Sequence, residues 1–287
     1  PVILVGTTAI RENVSGALLK LCEKLSIPLV TTGGSRGAIP ESNPLNVGRC
    51  GYGGGTTMAD KILQEADVIV SLGAEFDNNV TYNYSYKFAA KTFVVSPADC
   101  GCGLKHVRTS VKRFVEALTA AADNPAARQQ LQPHARPEWH AFISEVRKEW
   151  DNQINFFVEH SLAGNALRRI DSKLRGNCFV STGQGVHTLY ANSLLRCDRP
   201  NGYLAANSTG AMSFALPAAL GAKIVSPHIE SVCVAGDGEF MMSVAELETA
   251  VREKLAVKIV VLNDNSYRSL VLPQKIFMDG MVAGTLH

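Results

Sequence analysis

Apolar residues fall in two rhythms along this chain: short unbroken runs, and stripes spaced three and four apart. Val2-Ile3-Leu4-Val5-Gly6 is the first run and reads as a buried strand of a parallel sheet. Val14, Leu18, Leu21 and Leu25 follow at the period of a helix with one buried face. Residues 28–32, 67–73 and 91–96 predict further strands. Residues 59–65 and the stripe Val111, Phe114, Val115 and Leu118 predict helices among them. Residues 33–55 are rich in glycine and proline and read mainly as loop. Alternation of strand and helix predicts an α/β fold, a parallel sheet covered by helices.

The rhythm breaks at residues 123–137, where Asp123-Asn124-Pro125, Pro133 and Pro137 read as a linker. An amphipathic helix with Trp139, Phe142, Ile143, Val146 and Trp150 comes next and reads as a packing helix that ties two domains together. Alternation then resumes. Residues 178–182, 231–235 and 258–262 predict strands, and 186–195 and 210–225 predict helices. Pro217 implies a kink or a helix start nearby. Ser243 and Glu246 form S-x-x-E, a capping-box signal.

With 287 residues the chain is long enough for two domains of roughly 100–200 residues each. Its net charge of +2 is too small to argue for nucleic acid. No apolar run approaches the ~18 residues of a membrane span. The seven cysteines include no CxxC pair, and Cys100 and Cys102 are separated by one residue. All thiols are therefore expected reduced, in a cytoplasmic compartment, with an organelle open in a eukaryote. The chain opens at Pro1 with no visible signal or transit peptide, which reads as a piece of a longer protein.

Chemistry concentrates in the second half. Gly236-Asp237-Gly238 follows directly on a predicted strand. Asn263-Asp264-Asn265 follows the next strand, Asp264 lying 27 residues beyond Asp237. One strand-helix-strand unit needs about 30 residues, so both aspartates fall at carboxyl ends of parallel strands, where open α/β sheets bind ligands. Two carboxylates brought together there repel unless a cation lies between them. Oxygen ligands suit magnesium or calcium, and magnesium usually bridges to phosphate oxygens. Glycines flanking Asp237 let a phosphate approach the backbone.

These features resemble the thiamine diphosphate enzymes of the acetolactate synthase and pyruvate decarboxylase group. Their signature is GDG, an intervening helix and strand, then an Asn-Asn or Asn-Asp pair. Gly210-Ala211-Met212-Ser213-Phe214-Ala215-Leu216-Pro217-Ala218-Ala219-Leu220-Gly221-Ala222 resembles the family's GxMGxxLPAAxGA stretch. Thr182-Gly183-Gln184-Gly185-Val186-His187 resembles its diphosphate-side turn. The resemblance implies a Rossmann-like central domain at 1–122, a linker and connecting helix at 123–152, and a C-terminally incomplete diphosphate- and magnesium-binding domain at 153–287.

By that resemblance, Asp237 and Asp264 hold magnesium through carboxylates and Ser266 through its backbone carbonyl. Gly238 and Glu239 face the cofactor's diphosphate through backbone groups, and Gly185, Val186 and His187 approach its other side. Gly236, Ser266, Tyr267 and Arg268 complete the cofactor-binding set. Met212 is the catalytic wedge that bends the cofactor, and Gly210 offers its carbonyl to the aminopyrimidine. Asp264 stands where most relatives have asparagine, and Arg268 where they usually have glycine. Residues 48–55 depart from the stretch used by flavin-binding members, and Gly6-Thr7-Thr8-Ala9-Ile10 lacks G-x-G-x-x-G, which leaves FAD open.

The implied activity is decarboxylation and carboligation of a pyruvate-like 2-oxo acid, dependent on thiamine diphosphate and Mg2+. The alternatives are a simple 2-oxo acid decarboxylase, and a non-catalytic homologue serving in assembly or regulation. The family's proton relay begins at a glutamate of a pyrimidine-binding domain, in cis or from another subunit of a homodimer or homotetramer. This chain has no counterpart of that domain, so alone it is expected to be inactive.

Overall fold

The structure is a computed structural model that describes residues 1–88, 91–99, 101–127, 136–207 and 209–285. The chain divides into two compact units, Pro1–Phe157 with Cys197–Asn201, and Val158–Arg196 with Gly202–His287.

In the first unit β1 (Val2–Val5), β2 (Leu29–Thr31), β3 (Asn46–Arg49), β4 (Ile69–Leu72), β5 (Thr92–Ser96) and β6 (Lys105–Arg108) form one sheet. Its order is β3-β2-β1-β4-β5-β6, and every pairing is parallel. Side chains alternate across the sheet. Ile3 and Val5 join Leu18, Leu21 and Val115 in one core cluster; Val2 and Leu4 join Ile62, Ile69 and Val146 in another. Helices α1 (Thr7–Arg11), α2 (Ser15–Leu25) and α3 (Thr57–Glu65) lie between the strands in sequence, and α4 (Val111–Asp123) follows β6. Both faces are thus covered, which is why the strands read as continuous apolar runs.

Helix α5 (Pro137–Glu159) packs Ile143, Val146, Trp139, Phe142 and Trp150 on the second of those clusters. Its Arg147 Nη2 donates to the carbonyls of Pro44 and Asn46, at 2.8 and 3.1 Å. Strand β3 lies within the stretch that reads as loop. Its polar Asn46 is buried because Nδ2 donates to the Ile39 carbonyl and Oδ1 accepts from Gly48 N, each at 3.1 Å. An edge strand built on such bonds leaves no apolar run to detect.

Among the described residues the second unit has four parallel strands, β7 (Cys178–Thr182), β8 (Tyr203–Ala205), β9 (Glu230–Gly236) and β10 (Lys258–Leu262), in the order β10-β9-β7-β8. Its helices are α6 (Leu162–Leu174), α7 (Val186–Leu194), α8 (Ala215–Val225), α9 (Asp237–Ser243), α10 (Glu246–Arg252) and α11 (Arg268–Phe277). Leu216 and Leu220 of α8 cluster with Cys233 and Ala235 of β9. Helix α8 starts at Ala215, with Pro217 in its first turn, where a missing N–H costs nothing.

The capping box expected at Ser243 does not form. Ser243 already closes α9, its hydroxyl donating back to Phe240 O at 3.4 Å, and Ala245 is the N-cap of α10. The spacing mimicked a helix start because two short helices abut there. The expectation of reduced thiols also needs correction. Cys22, Cys50, Cys178, Cys197 and Cys233 are buried and carry reduced thiols, whereas Cys102 is disulfide-bonded. Such a bond depends on where two sulfurs meet in space, which reasoning from compartment and cysteine count does not see. Among the described residues no helix is long and apolar enough to cross a membrane.

Candidate functional site

The register of the second sheet brings its carboxyl ends level. Leu262 of β10 pairs with Gly236 of β9, and Thr182 of β7 pairs with Val234. β7 and β9 are neighbours whose chains continue to opposite edges of the sheet, so the topological switch lies between them. Above these ends opens a cavity of about 590 Å³. Gln184, Gly185, Val186 and His187 line it from the turn after β7; Gly236, Asp237, Gly238 and Glu239 from the turn after β9. Asn263, Asp264, Ser266, Tyr267 and Arg268 line it after β10, and Met212 from the approach to α8. Every residue singled out from the sequence is therefore there except Gly210. Gly210 has φ +63, and a Cβ built on it would lie 3.3 Å from Gln184 Oε1, so it borders the cavity's lining.

The base of the cavity is a glycine cradle around two buried side chains. A Cβ at Gly183 would collide with Glu239 Oε1; one at Gly236 would lie 2.9 Å from His187 Nδ1, and one at Gly185 2.7 Å from it. Gly185 has φ +151, open in practice only to glycine. His187 Nε2 lies 2.7 Å from Glu239 Oε2, both side chains being buried. The contact lacks hydrogen-bond alignment, so both atoms stay unsatisfied. Glu239 Oε1 accepts from Ala215 N at 3.3 Å, which ties the turn after β9 to the start of α8.

At the cavity wall Asp264 is heavily engaged. Ser266 Oγ donates to Oδ1 at 2.8 Å and Arg268 Nε to Oδ2 at 2.6 Å. Partial burial raises the Asp264 pKa, but these hydrogen bonds and the guanidinium charge outweigh it and hold the carboxyl below its usual range.

Ser161, Leu162 and Ala163 at the start of α6, with Tyr190 and Leu272, also line the cavity. The sequence reading missed them. Ser161 caps α6 by accepting from Gly164 N at 3.1 Å, a cap that a scan for helix starts could find. Nothing local in the sequence joins α6 to the glycine turns.

Comparison with known proteins settles the family. Residues 1–118 match the thiamine pyrophosphate enzyme central domain, and residues 183–286 match the C-terminal TPP binding domain of the same enzymes. The chain belongs to the thiamine pyrophosphate enzyme family. It is 30% identical over 279 residues to a probable acetolactate synthase large subunit of Methanocaldococcus jannaschii, covering 93% of this chain and 46% of that protein. It is 31% identical over 288 residues to an acetolactate synthase of Mycobacterium bovis, covering 96% and 45%. It is 27% identical over 292 residues to the acetolactate synthase isozyme 1 large subunit of Escherichia coli, covering 99% and 50%. The chain thus spans about half the length of these relatives. As a family member its cofactor is thiamine diphosphate.

The residues present fit that group and a divalent ion. The glycine turns at Gly185, Gly236 and Gly238 line the cavity, and its volume falls in the ~300–1,000 Å³ range of small-molecule sites. Among the described residues no group of three or more His, Cys, Asp or Glu could hold a metal by itself. A site of two carboxylates beside a phosphate is what magnesium ordinarily uses, since phosphate oxygens and water complete its shell.

Proposed function

We propose that this chain is the central and diphosphate-binding part of an acetolactate synthase-like enzyme that acts on a pyruvate-like 2-oxo acid. The observation that carries the reading is the convergence of three turns, 184–187, 236–239 and 263–268, on one cavity that Asp237 and Asp264 both line. Thiamine diphosphate, when bound, would supply the electron sink that decarboxylation and carboligation need. The chain's own residues bind and orient. Asp237 and Asp264 hold magnesium by their carboxylates and Ser266 by its carbonyl. Gly236, Gly238 and Glu239 face the diphosphate through backbone groups on one side, and Gly185, Val186 and His187 approach it on the other, with Tyr267 and Arg268 at the rim. Met212, which lines the cavity, would press on the bound cofactor and hold it bent, and the Gly210 carbonyl would orient its amino group. A pyrimidine-binding domain, in cis or from another subunit, completes the site with the carboxylate that moves the pyrimidine proton. Glu239 is unsuited to that task, because it is enclosed by Gly183, His187 and Ala215 N beneath the cavity.

Calorimetric titration of this chain with thiamine diphosphate, with and without magnesium, tests the reading. Asp237→Ala should weaken magnesium-dependent binding at least about tenfold, roughly 1.4 kcal/mol. Asp264→Asn should weaken it less, since an amide oxygen still ligates. Identical titration curves for Asp237→Ala and the parent would sink the assignment.

A further inference from the structure

Both oxygens of one cavity carboxylate are already engaged, Asp264 Oδ2 by Arg268 Nε at 2.6 Å and Oδ1 by Ser266 Oγ at 2.8 Å. Arg268 is also the first residue of α11, a ten-residue helix. A cation at that end opposes the helix dipole, so the helix does not favour Arg268 there. The neighbouring carboxylate holds it. Both side chains are part exposed, Arg268 at 44% and Asp264 at 33%, and can separate without unpacking a core.

We propose that Arg268 is a resident counter-cation of the cavity, held by Asp264 where a divalent ion would bind, so that the ion enters by displacing it. The inference rests on the reading of Asp237 and Asp264 as the metal pair. Its physics is competition. An ion drawn to the Asp264 oxygens meets a guanidinium a few ångströms away, and either the two cations repel or the Arg268 bond breaks. Arginine stays charged at every working pH, so pH does not relieve the competition. The pair is half solvated, so the competition is worth a few-fold in affinity and not orders of magnitude. With Arg268 in place the cavity also carries one negative charge fewer toward an incoming diphosphate.

The test uses the 287-residue chain and Mn2+ alone, with free ion read by electron paramagnetic resonance. Arg268→Gln should bind Mn2+ at least about threefold more tightly than the parent, and Arg268→Lys should fall between them. Asp237→Ala and Asp264→Ala should both weaken binding. In an Asp264→Asn background, Arg268→Gln should lose most of its effect, because the charge it competes for is gone. If the aspartate variants weaken Mn2+ binding but Arg268→Gln leaves it equal or weaker, the counter-cation is overturned and the metal pair stands. If neither aspartate variant changes Mn2+ binding, the metal pair fails and the counter-cation fails with it. Unchanged far-ultraviolet circular dichroism of each variant excludes misfolding as the cause.

Discussion

Asp60 in the first unit accepts from the Tyr82 hydroxyl at 2.6 Å through Oδ2, while its Oδ1 is buried without a hydrogen-bond partner. Burial raises its pKa, and the Tyr82 bond and the Arg49 charge only partly offset this. The folded chain therefore holds the Asp60 proton more tightly than the unfolded chain does. The stability that this group contributes is complete below the ordinary carboxyl pKa of about 3.9 and is lost as pH rises through the raised folded value. Asp60→Asn should flatten that decline. Urea unfolding between about pH 4 and 7 should show the variant gaining on the parent as pH rises, and parallel curves would contradict it. At this scale the sequence was legible where chemistry is local. Asp237 and Asp264 stand out because each follows a strand and is flanked by small or amide residues. The Arg268–Asp264 pair was within reach too, since i, i+4 spacing at a helix start brings such side chains together. The contact of His187 with Glu239 was not, because 52 residues separate them and only the sheet register joins them.

The turn between β7 and α7 depends on one residue. Gly185 is the N-cap of α7 with φ +151 and ψ 178, where a Cβ is strained, and that Cβ would also press on the His187 ring. Gly185→Ala should destabilise the second unit by roughly 1–3 kcal/mol, read as a lowered urea midpoint with unchanged slope. An unmoved midpoint would mean that the turn has a second conformation at no cost. Gly6, by contrast, has φ −117 and is needed for space, since a Cβ there would overlap the backbone of Gly73 and Ala74. Elements with a strong apolar period, such as β1, α2, β4, β7 and β10, were readable from the chain. The three- and four-residue strands β3, β6 and β8 were not. β6 is largely exposed and β3 carries Asn46 and Gly48, so neither shows the apolar run that marks a buried strand. Their pairing is decided by the strands beside them.

Each unit has its own parallel sheet and core, the structural requirement for independent melting. Scanning calorimetry should resolve two transitions. Thiamine diphosphate with magnesium should raise only the one that Gly185→Ala lowers, by about 2.7 kcal/mol at a hundredfold excess over Kd. A ligand shift of both transitions together would show that the units unfold as one. The two-part organisation was visible in the sequence as two blocks of alternation. The assignment of Cys197–Asn201 to the first unit was not, because it interrupts the second block and rests on long-range bonds. Cys197 N donates to Glu41 Oε2 at 2.8 Å and Ser42 N to Asp198 Oδ1 at 2.9 Å.

The open sheets have a further consequence, for how the chain behaves in a crowd. An open sheet ends in strands whose outer N–H and C=O groups could template another chain. Here the terminal strands are β3 and β6 in one sheet and β8 and β10 in the other, none longer than five residues. β6 sets Lys105 and Arg108 on its exposed length, and β10 opens on Lys258, ion-paired to Glu230. Brevity at these borders, with charge on β6 and β10, opposes edge-to-edge pairing of one copy's sheet with another's, so the fold carries its own guard against fibrous growth.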